Sequence, residues 1–176
     1  MEQTFSITSI VFLGALAWQD FRSRMITAWL LPAAGVFLSV AEIFHSDITR
    51  VGQNAGINLI LLLLQFLALT LWISFRNRKW INIIDSHIGL GDILFLVCIT
   101  PALSPFNFCV LLTAGTLLTL FIHTAVQLMK NGADPKIPLA GYLGSIILVF
   151  CLLNVSGIIP FHLSDNDWLP DYLLQL

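Results

Sequence analysis

Residues 89–103 read Gly89-Leu-Gly-Asp92-Ile-Leu-Phe-Leu-Val-Cys-Ile-Thr-Pro101-Ala-Leu103. The run is apolar enough to be read as a membrane span, and it opens on an acid. Carrying a carboxylate to lipid depth costs roughly 2.5–3.5 kcal/mol even on lenient insertion scales, so Asp92 needs a partner or a task there. From Asp92 to the Pro101 turn is about ten residues, roughly 15 Å of helix, against a hydrocarbon core about 30 Å thick. Asp92 is therefore expected below the membrane boundary. Gly89 and Gly91 carry the backbone down to it, allowing irregular backbone and close approach by another chain.

The rest of the chain agrees with a membrane reading. Of 176 residues, 57% are hydrophobic and 10% charged, and mean hydropathy is +0.89. Soluble domains carry about 25% charged residues, so this chain cannot solvate a globular surface. Its eight Lys and Arg are scattered and make no basic stripe, which argues against a nucleic-acid partner. Residues 1–10 hold no Lys or Arg, so the first apolar segment reads as a retained span and not as a cleaved signal. Cys98, Cys109 and Cys151 all fall in apolar runs without a CxxC pair, which predicts small buried hydrophobes and no metal framework.

Six apolar segments stand out: Thr4–Gln19, Ala28–Phe44, Gly56–Phe75, Ile93–Leu103, Pro105–Met129 and Pro138–Pro160. With a span needing about 20 residues, they predict an all-α bundle of six transmembrane helices forming a single domain over residues 1–176. Arg22 and Arg24 follow the first segment; Arg76, Arg78 and Lys79 the third; Lys130 and Lys136 the fifth. Arg50 alone falls in an even-numbered loop. The positive-inside rule then places loops one, three and five in the cytoplasm, and both termini outside with the acids Asp165, Asp167 and Asp171. Trp18, Trp29, Trp72 and Trp80 gather near the cytoplasmic ends, as an interfacial belt does. Pro101 and Pro105 bracket a tight external turn, Gly52 to Gly56 reads as an external loop, and Gly132 with Asp134-Pro135 ends the fifth helix.

A second acid, Asp20, closes the first span on the cytoplasmic side, so parity brings Asp20 and Asp92 to one face. Two carboxylates about 3 Å apart cannot both ionise cheaply and share a proton. One can activate water as a general base while the other protonates the carbonyl oxygen or leaving amine. Such a pair hydrolyses a peptide bond with no metal and no cofactor. Each acid also has a plainer reading. GxGD arises by chance in roughly 3–5% of chains this long, and Asp20 alone could cap the next helix or pair with Arg24 at i+4.

Three motifs in order now resemble the type IV prepilin peptidases and their archaeal preflagellin relatives. They are Asp20-Phe-Arg-Ser-Arg-Met-Ile-Thr-Ala-Trp-Leu30, Gly89-Leu-Gly-Asp-Ile-Leu94, and Lys136-Ile-Pro-Leu-Ala-Gly-Tyr142, together covering about residues 5–150. The resemblance implies catalytic Asp20 and Asp92 with Gly89 and Gly91 as supporting motif, and a location in the cytoplasmic (inner) membrane. It also implies a pilin-like precursor as substrate, cut in its leader at the cytoplasmic face. Thr27-Ala28 stands where that family has Pro-Asn, and Leu94 where it has Lys. No loop has room for a four-cysteine zinc region, which implies a form without N-methylation. The presenilin-like proteases share GxGD but use more spans and Tyr-Asp and Pro-Ala-Leu motifs; Pro138-Leu139-Ala140 only echoes the last.

Other polar residues keep alternatives open. Asp85 and His87 could join Asp92 around a metal, but ordinary loop residues are the simpler expectation. His123 with Gln127 at i+4 suggests an interhelical hydrogen bond, and Glu42, His45 and Asp47 read as a solvated outer face. Gly141 and Gly144 suggest small-residue packing of the last helix against a neighbour. A proton-conducting or transport subunit is the competing class. It would ask for midplane acids and internal symmetry, neither of which is evident. An inert member of the resembling family is the third reading, and the sequence says nothing of oligomeric state.

Overall fold

The computed structural model describes residues 2–78, 89–130, 137–159 and 162–165. The described residues form six helices and no strand. They are α1 (Glu2–Ser23), α2 (Leu30–His45), α3 (Ile48–Asn77), α4 (Leu90–Ile99), α5 and α6 (Leu139–Val155). Helix α5 runs continuously through Pro105–Val110, a π-helical turn at Leu111–Gly115, and Thr116–Lys130. Each helix coincides with one of the six apolar segments. Lys79, Trp80, Asp85, His87, Gly132, Asp134, Pro135, Lys136, Asp167 and Asp171 lie outside the described residues.

Helices α1, α2, α4 and α6 make the core. α1 lies against α2 and α6, and α4 against α2 and α6. Leu13 and Leu16 of α1, Leu31, Ala34 and Leu38 of α2, Phe95 and Ile99 of α4, and Leu143 and Ile147 of α6 are buried together. The closest approach is at Gly35, where a Cβ would lie 2.4 Å from the Cys98 carbonyl oxygen. Glycine is what lets α2 and α4 touch backbone to backbone.

Helices α3 and α5 flank this core, α3 through α2 and α5 and α5 through α6. Two segments, Ile48–Asn77 and Pro105–Leu128, are long and apolar enough to cross a membrane. Leu30–His45, Leu90–Ile99 and Leu139–Val155 are apolar but shorter. Only Val51, Asn58 and Leu62 of α3 are buried, whereas Leu63, Trp72 and Phe75 are exposed, Phe75 to 87%. Polar side chains go the other way: Ser9, Asp20, Glu42, Asn58, Thr100, Thr119 and His123 are all buried.

The turn between α4 and α5 is as tight as its two prolines require. Ser104 caps α5 by accepting the Asn107 amide at 3.2 Å, with Pro105 opening the helix, a position where its missing N–H has no intrahelical role. Asn58 of α3 pins the turn by donating through Nδ2 to the Thr100 and Leu103 carbonyls, both at 2.8 Å.

Three expectations are corrected; of the three cysteines expected to be buried, Cys151 alone is, with Cys98 half-buried and Cys109 exposed because it lies on an outward face of a flanking helix. Residues 52–56 are not a loop but part of α3, which starts at Ile48. A Cβ at Gly52 or Gly56 would meet nothing within 4 Å, and each glycine costs a helix only about 1 kcal/mol. With no proline nearby, the hydrogen-bond ladder continues through both. Glu42 is not solvated but 6% exposed. Its Oε2 accepts the Ser164 hydroxyl at 2.6 Å and the Ser164 amide at 3.3 Å, because the stretch 162–165 folds back over the end of α2. His45 Nε2 meets Asp165 Oδ2 at 3.1 Å there, and Asn107 Nδ2 donates to the Leu163 and Asp165 carbonyls.

Candidate active site

Asp20 lies in the last turn of α1 and is 5% exposed. The helix stops three residues later because Arg24 takes the left-handed conformation (φ 53°), with its amide donating to the Asp20 carbonyl at 3.0 Å. An αL residue just past a helix satisfies its last carbonyls, and a basic side chain suits the negative helix end. Gln19 then folds the chain toward α2: its Oε1 accepts both the amide and the hydroxyl of Thr27, at 3.1 and 3.0 Å. Thr27, one of the departures from the family pattern, is thus engaged locally. The Arg24 charge acts on the Asp20 carboxyl, in keeping with the plainer i+4 reading, but this is not the acid's closest partner.

Asp92 sits in the first turn of α4, where the positive end of the helix suits an acid. Gly89 is the N-cap, in extended conformation (φ −67°, ψ 138°), and its carbonyl accepts the Asp92 amide at 3.0 Å. Gly91 is an ordinary helical residue. Neither glycine has a positive φ, the only such glycine among the described residues being Gly157. The expected irregular backbone is therefore absent at 89–91, and what these glycines supply is space. A Cβ at Gly89 would stand 3.2 Å from Asp92 Oδ2, and one at Gly91 would come 3.9 Å from Ile26.

The two acids meet at a third element, the start of α6. The Ala140 amide donates to Asp92 Oδ1 at 2.9 Å, and the Gly141 amide donates to Asp20 Oδ2 at 2.6 Å. Three covalent bonds separate those nitrogens, so the hydrogen bonds hold the two carboxylate oxygens within roughly 9 Å of each other. The Asp20 charge acts on Asp92 across that gap. Asp20 is thus held by one amide through Oδ2, whereas the Asp92 carboxyl accepts a backbone hydrogen bond from Gly89 as well as from Ala140. Leu94 points elsewhere along α4 and is exposed.

Around this centre, Phe21 stacks edge-on against Tyr142 with ring centroids 4.9 Å apart. The His123 ring also stands edge-on to Tyr142, at 6.2 Å. Within α5, His123 and Gln127 meet Nε2 to Nε2 at 2.7 Å. The His123 ring at the same time packs α5 against Tyr142 of α6. Gly144 faces Leu16 and Phe95, which is the small-residue packing anticipated for this helix. No group of three or more His, Cys, Asp or Glu among the described residues could hold a metal ion; Asp85 and His87 lie outside them.

Sequence reading singled out both acids but not the amides they meet. The Ala140 and Gly141 amides are backbone groups, which no side-chain pattern reveals. The available signal was Pro138 at a helix start beside a small-residue pair. Comparison with protein-family models, curated proteins and solved structures finds no match for this chain.

Proposed function

We propose that this chain is a membrane-embedded aspartic endopeptidase that cuts the leader segment of a pilin-like precursor at the cytoplasmic membrane face. The observation that carries the reading is the convergence of Asp20 and Asp92, from separate helices, on neighbouring amides of a third. A buried acid and a half-buried one brought together this way are expensive unless they are used. The choice of substrate rests on the family resemblance of the three motifs, all of which border this centre.

The membrane setting is supported by the two long apolar helices, the exposed leucines and aromatics of α3 and α5, and the inward turn of polar side chains. In this reading all six helices lie in the inner membrane, with both termini outside. The dyad then opens to the cytoplasm, where the Arg and Lys of the odd loops concentrate. The precursor's apolar helix would lie beside α1 and α4.

The chemistry follows from one shared proton. The ionised member takes a proton from water as its oxygen attacks the scissile carbonyl, while the protonated member gives its proton to the carbonyl oxygen. Collapse of the tetrahedral intermediate breaks the C–N bond: the proton taken from water passes to the leaving nitrogen, and a hydroxyl of the intermediate returns a proton to the acid that gave one, restoring the shared proton. A carboxylate and a free, unmethylated amine result. The test uses the full chain in lipid vesicles with a candidate prepilin. Asp20→Asn and Asp92→Asn should each abolish cleavage while leaving the amount of folded protein unchanged. Cleavage by either variant at near wild-type rate refutes the dyad.

A further inference from the structure

A helix leaves its first four amide N–H groups without intrahelical acceptors, and a side-chain oxygen at the N-cap ordinarily takes one of them. The N-cap of α6 is Pro138, which has no such oxygen, and no side-chain cap bond is made. The amides of Ala140 and Gly141, two and three residues past the cap, are instead satisfied from other helices, by Asp92 of α4 and Asp20 of α1. Both donors are short and direct. Asp20 reaches its donor only because residue 141 has no side chain: a Cβ there would stand 2.9 Å from Asp20 Oδ2 and 3.1 Å from Asp20 Cβ. Real Cβ atoms essentially never approach within 3.0 Å.

We infer that the Ala140–Gly141 amide pair is a positioning element that sets the two acids relative to each other, and that glycine at 141 is required for it. The two donors are three covalent bonds apart, so any shift of α6 carries both together and preserves their spacing. Without them, Asp20 and Asp92 would be placed only by α1 and α4, which the core does not pack directly on each other to the extent that it packs each on α6 or α2. The amides also favour the ionised form of the oxygen they hold. Each acid thus has one oxygen anchored on α6. The catalytic consequence rests on the peptidase reading; the placement of the carboxyls does not.

The test compares Gly141→Ala with Gly144→Ala, one turn along the same helix. At 144 a new Cβ would meet Leu16 Cδ2 at 3.5 Å, an ordinary contact. Two readouts are taken on the full chain in vesicles: kcat and KM for a prepilin, and mass-spectrometric labelling of Asp20 and Asp92 by a hydrophobic carbodiimide, which consumes protonated carboxyls. Gly141→Ala should lower kcat by about 100-fold, the usual scale for misplacing a reacting group by an ångström, with KM within about two-fold. Labelling of Asp20 should rise while that of Asp92 holds. Gly144→Ala should match the wild type in both readouts. Unchanged kcat and unchanged Asp20 labelling in Gly141→Ala overturn the inference. If the wild type cleaves no prepilin, the peptidase reading fails while the labelling still decides the placement. Should Gly141→Ala not accumulate, the double variant Asp20→Gly/Gly141→Ala decides instead. Its recovery locates the clash at Asp20 as inferred, and its failure locates it elsewhere and overturns the inference.

Discussion

Gly35→Ala tests the packing that delivers Asp92 to the site. Residue 35 lies at the contact of α2 with α4, and an added Cβ would come 2.4 Å from the Cys98 carbonyl oxygen, 2.9 Å from Cys98 Cβ and 3.0 Å from its carbonyl carbon. The nearest of these is backbone inside a helix, so no side-chain rotation relieves the clash. Restoring an ordinary contact requires α4 to move away by about 1 Å, and inserting one carbon into a packed interior costs about 1–3 kcal/mol. Because α4 carries Asp92, the same movement stretches the 2.9 Å bond from the Ala140 amide toward the limit of hydrogen bonding. A misplacement on that scale costs about 100-fold in rate. Unfolding of the reconstituted variant by sodium dodecyl sulfate, followed by tryptophan fluorescence, measures the first effect, and single-turnover prepilin cleavage the second. An unchanged unfolding midpoint together with wild-type cleavage would refute the close approach of α2 and α4 and the route by which it supports the site.

Two further outcomes are expected. Asn58→Ala removes the Nδ2 group that holds the Thr100 and Leu103 carbonyls. Two buried acceptors are then left without their donor, at about 1–3 kcal/mol each, so the unfolding midpoint should fall by more than in Gly35→Ala; an equal or smaller fall would mean water or another group replaces the amide. In a cysteine-free background, single cysteines replacing Arg24 and Lys79 should react with an impermeant thiol reagent from the cytoplasmic side only, and labelling from outside would overturn the orientation proposed for the site.

Hydropathy alone located all six helices, because the cost of burying or exposing an apolar run is a sum over neighbouring residues and is written locally. The turn at Pro101–Pro105 was legible for the same reason: proline acts on its own residue and the one before it. The glycines at 52 and 56 misled, since glycine permits a loop without imposing one, and the surrounding run kept the helix intact. Asp20 and Asp92 stood out as acids at the edges of apolar segments, and the parity of the spans was enough to put them at one end of the bundle.

What meets what was decided only in three dimensions. Every residue but proline carries an amide N–H, so nothing in the letters distinguishes the two that hold the acids. Ala140 and Gly141 became special when Pro138 left the start of α6 uncapped and α1 and α4 delivered carboxylates to it. Glu42 likewise read as an exposed acid until residues 162–165, more than a hundred positions away, folded over it. Local sequence fixes which segments are helical through short-range energies; partners for buried polar groups are chosen by the packing of distant helices, where one missing Cβ at 35 or 141 decides whether two backbones and a carboxylate can come into contact.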